Sequence, residues 1–403
     1  MISVTNSPKP TLQLADWTKT MSRSILRQMI AVVSQPGILS FAGGLPDPAL
    51  FPAREYAQAL TTVLAEDPRA LQYMPPYPRL KTHIVQMMAQ RGVQCTEDQV
   101  FITTGAQQAL DVLCRVLINP GDAVILEQTV YTGIQQVLAP FRARILGVPT
   151  NYRSGIDVNA VEALLAGGER PAFIYTIPNA HNPLGVTMTQ ETREQLVAVA
   201  RRYGVPVIED DAYGFLRYVG EPDTPMRAMD EEWVFYVGSF SKILAPALRL
   251  GWIVAPTELV SRLTVAKEAG DLESSALTQR AVAAYLDEGH FPAHLARLRQ
   301  VYNRRRVALL AAIERHFPAG AEWTYPQGGM FVWVKLPGDV DTRLLLETAV
   351  SSQQVAFIPG IAFAVPGYQA NNCLRLTFSS CSVAQIEEGI ARLGQVLKEA
   401  IAK

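Results

Sequence analysis

The sequence predicts an α/β protein: a large domain built on a mostly parallel sheet covered by helices, followed by a smaller α+β domain. Three observations carry this. Several near-continuous apolar runs, rich in Val, Ile and aromatics and bounded by Gly, Pro or Asp, read as strands buried on both faces, the mark of a parallel sheet. Amphipathic stretches alternate with them. After about residue 290 the texture changes to a long Arg/Leu-rich helix and shorter strands. With 403 residues, 49% of them hydrophobic, the chain is long enough for one large domain and one smaller.

The first forty or so residues read as an arm with a short helix, Arg23 to Val33, ahead of the Gly-rich turn FAGGLP. VFITT is a short strand that leads through a glycine turn into the helix opened by TTGAQQALD, Thr103 to Asp111. The buried strands are AVILE (Ala123 to Glu127), AFIYTIP (Ala172 to Pro178), VPVIEDD (Val205 to Asp211), WVFYVGSF (Trp233 to Phe240) and LGWIVAP (Leu250 to Pro256). Between two of them a helix over Gln190 to Tyr203 puts Leu196, Val199 and Ala200 on one stripe, with Thr189 placed to cap it. A long helix follows over Pro292 to His316, then the strand GMFVWVKL, a helix, short strands around Val355 and Leu374, and a terminal helix from Val383. The expected division is 1–47 as arm and part of the small domain, 48–290 as the large domain, and 291–403 as the small domain.

The formal net charge is −1, from 36 basic and 37 acidic residues, so bulk electrostatics favour neither nucleic acid nor membrane. Any anion must be held by a few placed groups. Cys95, Cys114, Cys373 and Cys381 form no CxxC and no zinc-like cluster, and read as small buried thiols in a reducing cytosol. The N-terminus lacks a signal-type apolar core, and no stretch reaches the ~18 apolar residues of a membrane span. A cytoplasmic protein without metal is expected.

GSFSKILAPALRLGW, Gly238 to Trp252, joins two buried strands and carries the strongest chemical signal. Lys242 at a strand-end turn loses solvation and its pKa falls, which suits an imine-forming nucleophile. Ser239, Ser241 and Arg249 offer two hydroxyls and a guanidinium fork, a set suited to a phosphate dianion. An ordinary polar turn is the plain alternative. The glycine turn at Gly105 opens a helix and exposes backbone N–H groups at the positive end of its dipole, a second anion cradle. IEDDAYGFL, Ile208 to Leu216, sets Asp210 and Asp211 at the C-terminal edge of a strand, where open α/β sheets bind ligands.

SFSK with an arginine seven residues later resembles the lysine signature of pyridoxal-5'-phosphate (PLP) dependent fold-type I aminotransferases of class I/II. It is most similar to the group containing 2-aminoadipate and kynurenine aminotransferases. The resemblance runs from FAGGLP to LRLTFS and implies the fold, the cofactor and a set of roles. Lys242 would hold PLP as a Schiff base, and Gly105, Ala106 and Gln107 would take the phosphate with Ser239, Ser241 and Arg249. Relatives usually carry a hydroxyl where this chain has Ala106. Asp210 would pair with the pyridine nitrogen, with Asp211 as the neighbour that competes for the assignment. Tyr213 and Asn182 would bond the ring oxygen, and Tyr131 would stack on the ring.

Arg375 would grip the substrate α-carboxylate, helped by Asn182 and the Gly44 backbone. Tyr73 would cross a homodimer to the partner's phosphate, although MPPYPRLKTHI after it departs from the family loop. Leu184 replaces the family threonine in PNAHNPLG, and His181 there reads as part of a polar surface loop. Arg27 matches an arginine that touches the substrate side chain in some relatives, and equally suits a solvated face of the arm helix. The activity implied is amino-group exchange between an L-amino acid (2-aminoadipate, glutamate, branched-chain or aromatic) and a 2-oxo acid by ping-pong chemistry. An oxidase, cyclase or lyase on the same cofactor is the alternative. A regulator fused to a DNA-binding domain fits less well, since the segment before Gly43 is short and the charge is unsuited to nucleic acid.

Overall fold

The computed structural model describes residues 12–20 and 37–401. Arg27 and the expected arm helix lie outside them. In chain order the elements are β1 (Leu39–Ser40), α1 (Ala53–Glu66), α2 (Pro78–Ala89), β2 (Val100–Thr103), α3 (Ala106–Leu117), β3 (Ala123–Glu127), α4 (Thr132–Leu138), β4 (Arg144–Val148), β5 (Thr150–Asn151), β6 (Gly155–Ile156), α5 (Val158–Ala166), β7 (Ile174–Thr176), α6 (Gln190–Tyr203), β8 (Val207–Asp210), β9 (Val234–Ser239), β10 (Gly251–Val254) and α7 (Thr257–Asp271). They continue with α8 (Ala276–Asp287), α9 (Phe291–His316), β11 (Glu322–Trp323), β12 (Phe331–Lys335), α10 (Thr342–Gln353), β13 (Val355–Ala356), β14 (Ile358–Pro359), β15 (Cys373–Thr377) and α11 (Val383–Ile401).

Seven strands form the main sheet in the order β2-β10-β9-β8-β7-β3-β4. The five strands from β9 to β4 run parallel, and β10 lies antiparallel between β9 and β2. Strand alternation explains the two covered faces. Phe101 and Ile253 point into a core with Leu110 and Leu113 of α3 and Leu263 of α7, while Ile102 and Val254 point the other way, among Ile84 and Met88 of α2. Leu196 and Ala200 of α6 and Val161 of α5 pack on Ile174 and Val207. The helix expected from Gln190 forms with Thr189 as its cap, the Thr189 hydroxyl accepting from the Thr192 N–H.

The C-terminal part is a four-stranded antiparallel sheet, β11-β12-β15-β14, against α9 and α11. β1 pairs in parallel with β13, so the segment before Gly44 is tied to this C-terminal part rather than to the main sheet. That tie brings Gly43 and Gly44 to the cavity at the C-terminal end of β8. Among the described residues no helix is long and apolar enough to cross a membrane, and no cluster of His, Cys, Asp and Glu is suited to a metal.

Candidate active site

A cavity of about 370 Å³ opens between the two sheets. Its wall contains Gly44, Ala106, Gln107, Tyr131, Asn182, Asp210, Tyr213, Ser239, Ser241, Lys242, Arg249 and Arg375, drawn from segments far apart in sequence. Gly105 stands behind Arg249. At φ +84° it occupies a backbone region that favours glycine, and a Cβ there would lie 2.8 Å from Arg249 Nη2. The missing side chain lets the guanidinium rest on the helix-opening turn, where Arg249 Nη2 donates to the Thr104 carbonyl at 3.2 Å. Tyr73 is elsewhere: it is 81% exposed on the surface, near the similarly exposed Leu71.

Lys242 leaves the end of β9 and keeps part of its surface open to the cavity, while its amine is enclosed. Burial, then the nearby Arg375 and Arg249 charges, push the amine down to about 8. It donates to the Gly44 carbonyl at 2.9 Å. Asp210 ends β8 with its carboxyl buried and pushed up to about 6 by desolvation. Tyr175 donates to Oδ2 at 2.7 Å, and Oδ1 makes no well-formed hydrogen bond among the described residues. Asp211 points to the opposite side of the strand and is fully engaged: Arg91 donates to it at 2.6 Å, Tyr236 at 3.1 Å and Asn179 at 2.9 Å. Strand alternation thus separates the two carboxylates that sequence alone leaves in competition.

Arg375, on β15, is buried without an acidic partner among the described residues. Nη1 donates to Asn182 Oδ1 at 2.8 Å and Nη2 to the Ala42 carbonyl at 2.6 Å, while Nε has no hydrogen-bond partner among the described residues. Its guanidinium lies between the Phe331 ring at 4.2 Å and the Phe363 ring at 4.7 Å. Desolvation lowers its pKa to about 10. Two aromatic faces help retain the charge, by about 2 kcal/mol or more each when desolvated. Tyr213 meets Phe331 edge-on at 5.8 Å, and burial raises its phenol pKa. Tyr131 donates to Gln107 Oε1 at 3.0 Å, and Ser239 Oγ accepts from the Ser241 N–H at 3.1 Å.

The surface-loop reading of His181 is corrected. His181 is 2% exposed, and its Nε2 lies 3.0 Å from Glu127 Oε2, within ion-pair distance but poorly aligned for a hydrogen bond. Glu127, at the end of β3, also accepts from Thr150 and Thr176 at 2.9 Å each. A carboxylate so far inside a sheet takes its partner from the adjoining loop, and His181 is in reach. The sequence alone does not single out Tyr175, Phe331 or Phe363. For Tyr175 it holds a signal, a phenol inside an otherwise apolar strand that must find an acceptor. For the two phenylalanines it holds none, because their contact with Arg375 depends on how distant segments pair around β15.

The cavity fits PLP: it gathers three cationic groups against one carboxylate, leaves one buried carboxylate oxygen without a donor, and sets an amine of lowered pKa between them. The aminotransferase class I and II family model matches residues 41–393. An aromatic-amino-acid aminotransferase of Thermococcus litoralis is 37% identical over 95% of this chain and 93% of its own length. A 2-aminoadipate transaminase of Thermus thermophilus is 39% identical over 94% of this chain and 95% of its own. The crystal structure of a Pyrococcus horikoshii kynurenine aminotransferase superposes with a TM-score of 0.91 at 35% identity, covering 96% of this chain and 97% of that one. The chain belongs to the class I and II aminotransferases, with the fold-type I architecture, and is an enzyme of amino-group transfer that uses pyridoxal 5'-phosphate.

Proposed function

We propose that an L-amino acid and a 2-oxo acid exchange an amino group in this one cavity by ping-pong chemistry, with Lys242 as the covalent anchor of PLP and the proton carrier. The observation that carries the reading is the charge pattern: Lys242 and Arg375 are enclosed with no carboxylate partner among the described residues, and Arg249 lies on a helix-opening turn at the rim. Buried cations are costly unless anions arrive to meet them. A phosphate at Arg249 and a carboxylate at Arg375 supply both.

Arg249, Ser239, Ser241 and the backbone N–H groups of Gly105, Ala106 and Gln107 hold the phosphate. Ala106 contributes no hydroxyl, so the backbone and Arg249 carry more of the contact. Asp210 offers Oδ1 to the pyridine nitrogen, with Tyr175 fixing its other oxygen. Tyr131 covers the ring, and Tyr213 and the Asn182 amide donate to its oxygen. Arg375 takes the substrate α-carboxylate with Asn182, against the Gly44 backbone. When bound, PLP accepts the electron pair left when the α-carbon loses its proton. Lys242 removes that proton and returns it at the cofactor's C4' carbon, a positioned transfer worth roughly 10²–10⁴-fold in rate.

Ser40, Leu45, Ile177 and Phe331 leave a largely apolar remainder for the substrate side chain. This favours branched-chain or aromatic amino acids, with 2-aminoadipate and glutamate admitted through Arg27. The working unit is a homodimer in the cytoplasm: exposed Leu71 and Tyr73 call for a cover, Tyr73 reaches the partner's phosphate, and four free cysteines suit a reducing compartment. Within each subunit, 48–290 and 291–403 act as two domains, with 1–47 completing the smaller. The test is a half-reaction screen with leucine, phenylalanine, glutamate and 2-aminoadipate on the PLP form. One 2-oxo acid per cofactor without oxygen uptake is expected. Oxygen consumption, or a cyclised product with no acceptor present, would replace this reading with the oxidase or cyclase alternative.

A further inference from the structure

A second cavity, of about 420 Å³, is lined by Arg91, the arginine that pairs with Asp211, whose neighbour Asp210 lines the active site. It is enclosed by the end of α2, the turn at Gly214 and Phe215, and the start of α9. Its wall holds two arginines, Arg91 and Arg299, and His83, whose Nε2 lies 2.9 Å from Asp287 Oδ1. The Arg91 side chain is only 6% exposed, and it spends a single nitrogen, Nη1, on Asp211 and Tyr236. The Nε of Arg91 is buried without a hydrogen-bond partner among the described residues. Nε and Nη2 form the edge of a guanidinium that binds two oxygens side by side. Arg299 donates Nε to the Phe215 carbonyl at 2.8 Å and has no acidic partner among the described residues.

The 26-residue helix α9 adds to the positive potential. Its N-cap, His290, makes no capping hydrogen bond, and Phe291 and Pro292 of its first turn line the cavity. Asp211 balances Arg91 and Asp287 lies 2.9 Å from His83, so the charge left uncompensated in the hollow is that of Arg299, beside an uncapped helix start.

We infer that this cavity is a binding site for a small oxyanion, a phosphate or a dicarboxylate, gripped by Arg91 and Arg299 at the start of α9. The site is separate from the two anion positions of the active site, and it touches the same arginine that holds Asp211. A bound anion draws on Arg91 from the side opposite Asp211, so its occupancy is transmitted to the carboxylate next to Asp210.

The test is isothermal titration of the PLP-loaded enzyme with inorganic phosphate, and separately with malonate, at constant ionic strength against chloride. Arg299→Gln is the informative variant, because Arg299 is absent from the catalytic cavity and exposed enough to be replaced without loss of the fold. One saturable site per subunit for phosphate is expected, weakened at least tenfold in Arg299→Gln, while the visible absorption of the bound cofactor stays at the wild-type position. Malonate also meets Arg375, so its arm is read as the difference between wild type and variant: a site lost in the variant for malonate but absent for phosphate marks a dicarboxylate ligand. No heat beyond chloride for either anion, or equal affinity in wild type and Arg299→Gln, would overturn the assignment. The outcome is independent of the amino-group chemistry, since binding is measured without substrate.

Discussion

Replacing Arg375 by lysine separates charge from geometry at the proposed carboxylate site. The guanidinium spans two acceptors, Asn182 Oδ1 at 2.8 Å and the Ala42 carbonyl at 2.6 Å, and lies between Phe331 and Phe363. An ammonium keeps the positive charge but is a compact point that cannot fill the slot between two rings or present a fork. The substrate carboxylate therefore keeps one charge-assisted hydrogen bond and loses the other. Such a bond is worth about 1.5–3 kcal/mol, which at 1.4 kcal/mol per decade is a roughly 10- to 150-fold loss in kcat/KM for the amino acid. The 2-oxo acid carries the same carboxylate and should lose as much. PLP affinity and the visible absorption of the loaded enzyme should not move, because the phosphate is held at the other end of the cavity by Arg249. Steady-state kinetics with both substrates, beside a cofactor titration, decide the matter. A kcat/KM within threefold of wild type, or a loss confined to cofactor binding, would refute the carboxylate role.

The two neighbouring aspartates should respond in opposite ways. Asp211→Asn leaves the buried Arg91 guanidinium without its counter-charge and should cost about 3–5 kcal/mol of stability, read by denaturant unfolding, whereas Asp210→Asn should fold normally and lose most of its turnover; equal behaviour of the two would contradict the separation of their faces. The Lys242 amine, lowered to about 8 by burial and two nearby cations, must be neutral to attack the cofactor's aldehyde. The rate of PLP capture by cofactor-free enzyme should therefore climb about tenfold per pH unit below 8 and level off above it, and a rate still climbing to pH 10 would mean that the amine titrates as an ordinary lysine.

The strands, the helix capped by Thr189 and the long helix after residue 290 are legible in the sequence because their signals are local: apolar runs, a 3.6-residue stripe, a turn residue at each end. The lysine turn is legible for a similar reason, since Ser239, Ser241, Lys242 and Arg249 lie close together along the chain. What stays hidden depends on contacts between distant segments. Nothing near PNAHNPLG in sequence reveals that Glu127 ends a strand opposite His181, so a buried histidine looks like part of a polar surface loop. The direction of β10 is equally silent, because a strand buried on both faces shows the same apolar run whether its neighbours run parallel or antiparallel. The partners of Arg375 depend on register, which brings Phe331 and Arg375 onto paired strands.

Reducing the PLP-loaded enzyme with borohydride, digesting it, and locating the phosphopyridoxyl group by peptide mass tests the cofactor anchor most directly. The prediction is a single modified residue, Lys242, with the visible absorption abolished on reduction. A label on another lysine, or a colourless protein with none at all, would contradict Lys242 as the amine that joins the cofactor between Arg249 and Arg375.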